Sequence, residues 1–169
     1  MNMKTIAVIG WKNSGKTTLV SNLTNYYFNK GIKVGVVKHA HHNFDIDHEG
    51  TDSYKIRKSG AFKTTIVSDK RLAHMIEEES LDENVSQIIA MHEDCEILIF
   101  EGFKNNSELK KIEVSFKKNN KNELNLELPN VLAIVTDQNQ KRTIPNFQHD
   151  QNQPEKVEHI SKVRCCPCV

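Results

Sequence analysis

The stretch Ile6-Ala7-Val8-Ile9-Gly10-Trp11-Lys12-Asn13-Ser14-Gly15-Lys16-Thr17 decides the reading of this chain. Its last eight residues are G-x-x-x-x-G-K-[ST], and the four before them form a short apolar, β-branched run that reads as a buried strand. After the loop, Leu19, Leu23 and Tyr26 fall at helical spacing. Strand, glycine loop and helix together aim consecutive backbone N–H groups and a helix N-terminus at one point, which is the geometry of a polyphosphate site. The pattern predicts Lys16 at the β and γ phosphates of a nucleoside triphosphate and the Thr17 hydroxyl as a ligand of Mg²⁺. Gly10, Asn13, Ser14, Gly15 and Thr18 complete the expected cradle. Gly10 and Gly15 suit it because backbone this close to an anion has no room for a Cβ.

Length and charge bound what else the chain can be. Its 169 residues are about one domain's worth. A formal net charge of +1 implies no general attraction to nucleic acid or an anionic membrane. The apolar run ending at Ile9 is too short for a signal peptide, and no stretch approaches the length of a membrane span. Four cysteines, of which Cys165, Cys166 and Cys168 crowd together, do not read as a disulfide framework. The cytoplasm is the expected location.

Strands and helices alternate along the chain, which predicts an α/β fold: a P-loop NTPase with a mostly parallel, doubly wound sheet. Strands are expected near 5–9, 33–38, 62–67, 96–100 and 131–136. Helices are expected from the loop to about Asn29, over Thr51 to Lys58 with Thr51 or Asp52 as cap, and once or twice within 71–91. Between Lys111 and Leu128, Ile112, Val114 and Phe116 alternate, as do Leu124, Leu126 and Leu128, around Lys-Asn-Asn-Lys-Asn. That pattern predicts an antiparallel β-hairpin projecting from an edge of the sheet. No linker divides the chain, so residues 1–169 read as one nucleotide-binding domain ending in a short, cysteine-bearing tail.

Several side chains gather at the ends of these expected strands. Glu101 follows an intensely apolar strand, where phosphate-loop proteins place a metal-side carboxylate. Its roles there are to hold Mg²⁺ or to orient an attacking water; the bland reading is a surface glutamate. The segment 38–53 carries His39, His41, His42 and His48 with Asp45, Asp47, Glu49 and Asp52. Three readings remain open: a loop contacting phosphate, Mg²⁺ and a second substrate with Asp47 or Asp52 on the metal side, a structural metal site, and a solvated polar loop. Asp137, after the strand 131–136, is placed to accept hydrogen bonds from guanine, but valine stands at 135 where an N/T-K-x-D motif has lysine. A surface acid is the alternative. The Cys165–Cys168 cluster reads as a reduced, disordered tail, or else as a site of metal capture or intermolecular oxidation, and Lys117, Lys118 and Lys121 as a solvated hairpin tip rather than a partner surface.

Taken in order, the phosphate loop, Lys38-His39-x-His41-His42-x-Phe44-x-x-Asp47-x-x-Gly50-x-Asp52-Ser53, Gly60-Ala61 and Glu101-Gly102-Phe103-Lys104 resemble the molybdopterin-guanine dinucleotide biosynthesis protein B family. The resemblance runs from Thr5 to about Asp137. It implies a GTP- and Mg²⁺-binding protein, usually a homodimer, at most a weak GTPase. The implied role is accessory: helping the molybdenum cofactor guanylyltransferase, as partner, to join GMP to molybdopterin and give the guanine dinucleotide product. Carried over, Gly10, Ser14, Gly15, Lys16 and Thr17 bind phosphate and metal, Glu101 takes the metal-side position, and His39, His42, Asp47, Gly50, Asp52 and Ser53 match the second motif. This chain departs from the family in having Thr51 where lysine is usual, Lys110 in place of proline, and Phe116-Lys117 where arginine is usual. A P-loop small-molecule kinase is the alternative, weakened because the arginines, at 57, 71, 142 and 164, form no lid-like cluster.

Overall fold

The computed structural model describes residues 3–40, 44–81, 84–116, 124, 127–137 and 146–148. These group into two compact units, one from 1–39 with 86–169 and one from Ala40–Val85. The sequence shows no linker at either junction, and the second unit is an insertion between two elements of the first.

In the first unit, β1 (Lys4–Ile9), β2 (Val34–Lys38), β5 (Ile97–Glu101), β6 (Lys111–Val114), β7 (Val131–Thr136) and β8 (Asn146–Gln148) form a sheet in the order β2-β5-β1-β6-β7-β8. Every pairing among them is parallel. Parallel neighbours need crossovers that cover the faces, so the central strands are buried on both sides and read as continuous apolar runs. Ile6 to Ile9 and Leu98 to Phe100 are such runs, all buried. On one face Ile6, Val8, Ile99, Ile112, Val114, Ala133 and Val135 stand at period-two positions and pack with Leu19, Val20 and Leu23 of α1 (Lys16–Phe28). The helix therefore seats itself through one stripe of its surface. α3 (Val85–Ala90) precedes β5.

β6 corrects the expected hairpin over 111–128. Instead of leaving the sheet, Lys111–Val114 lies inside it, parallel to both β1 and β7. The misleading signal was Lys111 and Glu113, polar residues that alternate with apolar ones yet are fully buried. Each has a partner: Lys111 Nζ donates to the Pro129 carbonyl at 3.1 Å, and Glu113 Oε1 accepts from the Leu124 amide at 2.8 Å. Burial alone pushes the Lys111 ammonium below its ordinary pKa. Residues 117–123 and 125–126, the expected turn and much of its second strand, lie outside the described residues.

The antiparallel pair is in the second unit, which holds α2 (Asp52–Lys58), β3 (Lys63–Val67) and β4 (Leu72–Ile76). β4 replaces the helix expected at the start of 71–91. The reason is turn chemistry. The Ser68 amide donates to the Arg71 carbonyl at 2.8 Å, while Ser68 Oγ accepts from the Arg71 amide at 3.1 Å. That closed turn sets Val67 opposite Leu72 and overrides helical spacing. α2 forms as expected, with Thr51 Oγ1 accepting from the Tyr54 amide at 3.2 Å as its cap.

Ile99, fully buried against α1, and Phe28, 73% exposed at the helix end, provide a contrast. Ile99→Ala should lower the unfolding free energy by about 2–4 kcal/mol, and Phe28→Ala by no more than about 0.5 kcal/mol, in urea titrations of the two variants.

Candidate functional site

The chain leaves β1 at Ile9 and turns at Gly10, whose φ is 151°. A Cβ there would meet Ser14 Oγ and the Val114 carbonyl oxygen, each at 2.5 Å. Asn13 and Gly15 both take left-handed conformations, and a Cβ on Gly15 would press on the Phe116 ring at 2.9 Å. The loop is thus wound tightly against the sheet. Gly15 is also the N-cap of α1, and no side chain caps that helix or adds acid to its first turn. α2, capped by Thr51, shows what an N-terminus without such a task looks like. The first amides of α1 and the positive end of its dipole are left for an anion.

Around this loop the first unit gathers a small set of polar groups. Thr17 Oγ1 donates to Glu101 Oε1 at 2.7 Å. Lys38 Nζ lies 3.6 Å from the same oxygen. Lys16 Nζ donates to the carbonyls of Gly10 and Trp11 at 3.0 and 2.8 Å. Burial lowers the Lys16 pKa from its ordinary value; Glu101 opposes this, and the charges of Lys38 and Lys104 add to it. Ser14 Oγ is buried with no hydrogen-bond partner. An orphaned hydroxyl inside a glycine cradle is a group that a bound phosphate would satisfy.

Glu101 is the last residue of β5 and is buried, so it is not the bland surface acid. His39 follows β2 and donates its backbone N–H to the Glu101 carbonyl at 3.0 Å, with its ring 5.1 Å from that of Phe103. Thr18 and Asn13 are solvent-exposed on the loop and helix. Asp137 follows β7 directly and is exposed. The structure therefore brings together Gly10, Ser14, Gly15, Lys16, Thr17, His39 and Glu101. His42 lies outside the described residues, as do the cysteine cluster at 165–168 and the lysines at 117, 118 and 121.

The remaining second-motif residues belong to the second unit and are organised around α2. Asp47 Oδ1 accepts from Thr51 Oγ1, Ser53 Oγ and the His48 amide, each at 3.0 Å. This carboxylate, expected on the metal side, is a bracket for the start of α2. Asp52 is exposed and pairs with Lys55 at 3.4 Å within the helix. Among the described residues no three His, Cys, Asp or Glu side chains are set to hold a metal ion. Sequence reasoning missed Arg57. Its side chain is only 8% exposed, with Nη1 donating to Glu77 Oε1 at 2.8 Å, Nη2 donating to Asp45, and Nε 3.9 Å from Asp47 Oδ2. The available signal was an arginine five residues past a capping segment rich in aspartate. A cavity of about 350 Å³ opens beside it, lined by Arg57, Lys58, Gly60, Ala61, Phe62 and Glu77.

Arg57 and the local donors hold two carboxyls below their ordinary value of 3.8. For Asp45 the Arg57 hydrogen bond dominates; for Asp47 burial acts upward and is outweighed by Ser53, Thr51, the His48 amide and Arg57 together. A depressed folded pKa contributes stability above the unfolded value that is lost as pH falls through the folded one. The melting temperature, followed by circular dichroism, should fall on acidification below about pH 4, and the fall should be shallower in Arg57→Met.

The model of the family described as molybdopterin guanine dinucleotide synthesis protein B matches residues 5–137. The molybdopterin-guanine dinucleotide biosynthesis adapter protein of Escherichia coli is 38% identical over 102 residues, covering 59% of this chain and 58% of that one. That of Haemophilus influenzae is 35% identical over 102 residues, covering 59% and 56%. The match thus spans little more than half the length of these relatives. A crystal structure of molybdopterin-guanine biosynthesis protein B superposes with a TM-score of 0.71 at 27% identity, covering 95% of this chain and 99% of that one. The crystal structure of a MobB homologue from Bacillus stearothermophilus, at 21% identity, has a TM-score of 0.67 over 96% and 98% and speaks for the fold.

Proposed function

This chain belongs to the molybdopterin guanine dinucleotide synthesis protein B family, and on that premise we propose that it is a GTP-binding adapter of molybdenum cofactor biosynthesis. In this reading it assists a guanylyltransferase in attaching GMP to molybdopterin, in the cytoplasm and as a homodimer. The observation that carries the nucleotide part is the Thr17–Glu101 contact at the mouth of a cradle with an orphaned Ser14 hydroxyl. A hydroxyl and a carboxylate oxygen are hard ligands suited to Mg²⁺, and they are already side by side. Thr17 would bind the ion directly, with Glu101 beside it or one water away. Bound there, Mg²⁺ would offset phosphate charge and fix the chain of phosphates in one pose.

The remaining work falls to this chain's own groups. Lys16 would exchange two carbonyls for phosphate oxygens, a stronger charge-assisted pairing. The amides of Lys16, Thr17 and Thr18 would turn from solvent to phosphate. Arg57 is committed to carboxylates within the second unit rather than free to clamp a phosphoryl group. The relatives reported above are named adapters or protein B, and the kinase alternative gains nothing from them. The homodimer is supported by exposed apolar surface in the second unit, where Phe44, Ile46, Phe62, Val67 and Leu72 are each more than half exposed. No helix among the described residues is long and apolar enough to cross a membrane, and the near-neutral charge favours no nucleic-acid partner.

Two expected outcomes test the reading. If Asp137 reads guanine, leaving that contact unpaired costs about 1–3 kcal/mol. Asp137→Ala should then weaken GTP by roughly tenfold or more and leave ATP unchanged in calorimetric titrations. Equal weakening of both would remove Asp137 from the base site.

The adapter role is tested by guanylylation of molybdopterin in a reconstituted reaction with the transferase. The parent should enhance it; Lys16→Ala should lose both GTP binding and enhancement. His42→Ala should keep GTP affinity within a few fold yet lose the enhancement. Stoichiometric phosphorylation of a small molecule without the partner, or full enhancement by Lys16→Ala, would overturn the adapter reading.

A further inference from the structure

One cation stands over the phosphate loop without belonging to the G-x-x-x-x-G-K-[ST] pattern. Lys104 Nζ lies 4.7 Å from the centroid of the Trp11 ring, and Trp11 is the second residue of that loop. The backbone delivers it there. Leaving β5 at Glu101, the chain passes through two consecutive left-handed residues, Gly102 at φ 101° and Phe103 at φ 57°. A phenylalanine in that region is strained and persists only where its surroundings over-determine it. Here they do: Phe103 is 8% exposed, with its ring 5.2 Å from Phe100 and 5.1 Å from His39. The tight reversal returns the chain toward the loop, and Lys104 is the first side chain after it.

Charge around the loop is one-sided. The charges acting on Lys16 are those of one carboxylate, Glu101, and two ammonium groups, Lys38 and Lys104, and Glu101 already receives the Thr17 hydroxyl and neighbours Lys38. Lys104 has no carboxylate within 4.0 Å among the described residues; its contact is the indole face. Its charge is felt at Lys16, so the two ammonium groups share one field. An excess of positive charge at a glycine cradle fits a polyanion.

We propose that Lys104 is a second phosphate-binding cation of the nucleotide site, exchanging its contact with the Trp11 ring for the polyphosphate when nucleotide binds. This rests on the nucleotide reading above and adds a residue to it. The resting contact is weak at a partly exposed aromatic face, whereas an ammonium–phosphate hydrogen bond is charge-assisted, so the exchange runs toward the ligand. The ligand class is any nucleoside di- or triphosphate; the base plays no part in this contact.

Trp11 is the chain's one tryptophan, so its emission reports on the loop alone. Calorimetry with GTP and Mg²⁺, paired with Trp11 fluorescence, compares the parent with Lys104→Met and Lys104→Arg. Lys104→Met keeps the apolar stem and should weaken GTP about tenfold, with a smaller loss for GMP, which lacks the outer phosphates. Lys104→Arg should largely restore affinity, and the emission change on GTP addition should shrink in Lys104→Met. Parent-like GTP binding by Lys104→Met, or a Lys104→Arg as weak as Lys104→Met, would overturn the proposal while leaving the nucleotide site intact. A full emission response in Lys104→Met would overturn the transfer from the ring. A parent that binds no nucleotide would instead overturn the nucleotide reading, and this proposal with it. If Lys104→Met does not fold, Lys104→Gln carries the same expected loss.

Discussion

The hydrogen bond from the Thr17 hydroxyl to Glu101 joins the first turn of α1 to the last residue of β5. It exists because the sheet is parallel throughout. In such a sheet all strands end on one edge, so residues far apart in sequence arrive together wherever two strands are neighbours. β1 and β5 are neighbours, with Val8 opposite Glu101, and Gly102 continues the ladder by donating to the Val8 carbonyl at 3.0 Å. β2 lies on the other side of β5 with Lys38 opposite Glu101. One carboxylate is thereby flanked by the phosphate loop on one side and by Lys38 and His39 on the other. The apolar burial of Ile6 to Ile9 and Leu98 to Phe100 is what holds this register. A slip by one residue would exchange the strand's two packed faces and carry Glu101 away from Thr17.

The second unit solves a different problem. It has one short helix and a two-stranded sheet, too little to build a large apolar core. Its order comes instead from a buried guanidinium shared among Asp45, Asp47 and Glu77, with Asp47 also bracketing Thr51, Ser53 and the His48 amide. Arginine suits that position because its planar fork presents several donors at once, which a lysine would not. Removing one partner of such a cluster leaves a desolvated charge, so the cluster specifies one conformation of the 44–53 segment more than it adds net stability.

How much of this could be read in the sequence depends on how local the signal was. The phosphate loop is local: spacing and flanking runs fix strand, turn and helix, and Gly10 and Gly15 sit where a Cβ would collide. Glu101 was legible because a buried parallel strand announces itself as an apolar run, and its end is a site by topology. β6 was misread because Lys111 and Glu113 look like a solvent face although both are buried and paired across the chain, a tertiary fact with no local mark. β4 was misread because helical spacing in 71–91 was outweighed by the Ser68–Arg71 turn. Asp47 and Arg57 show the limit most clearly. The aspartate was visible as a polar group in an unusual segment, but whether it serves chemistry or structure depends on an arginine ten positions later whose burial the sequence does not reveal.

The phosphate loop is already arranged as a set of exchanges. Lys16 is bonded to two loop carbonyls, Thr17 to Glu101, and Ser14 Oγ to nothing. Polyphosphate binding would therefore break contacts of the first two while satisfying the third, and the backbone would not need to move, since Gly10, Asn13 and Gly15 already hold their conformations against the sheet. Preorganisation of this kind lowers the entropic cost of association. Such a site would bind and release nucleotide with little rearrangement of its own, which suits a protein whose proposed task is to support another enzyme rather than to drive a conformational cycle by hydrolysis.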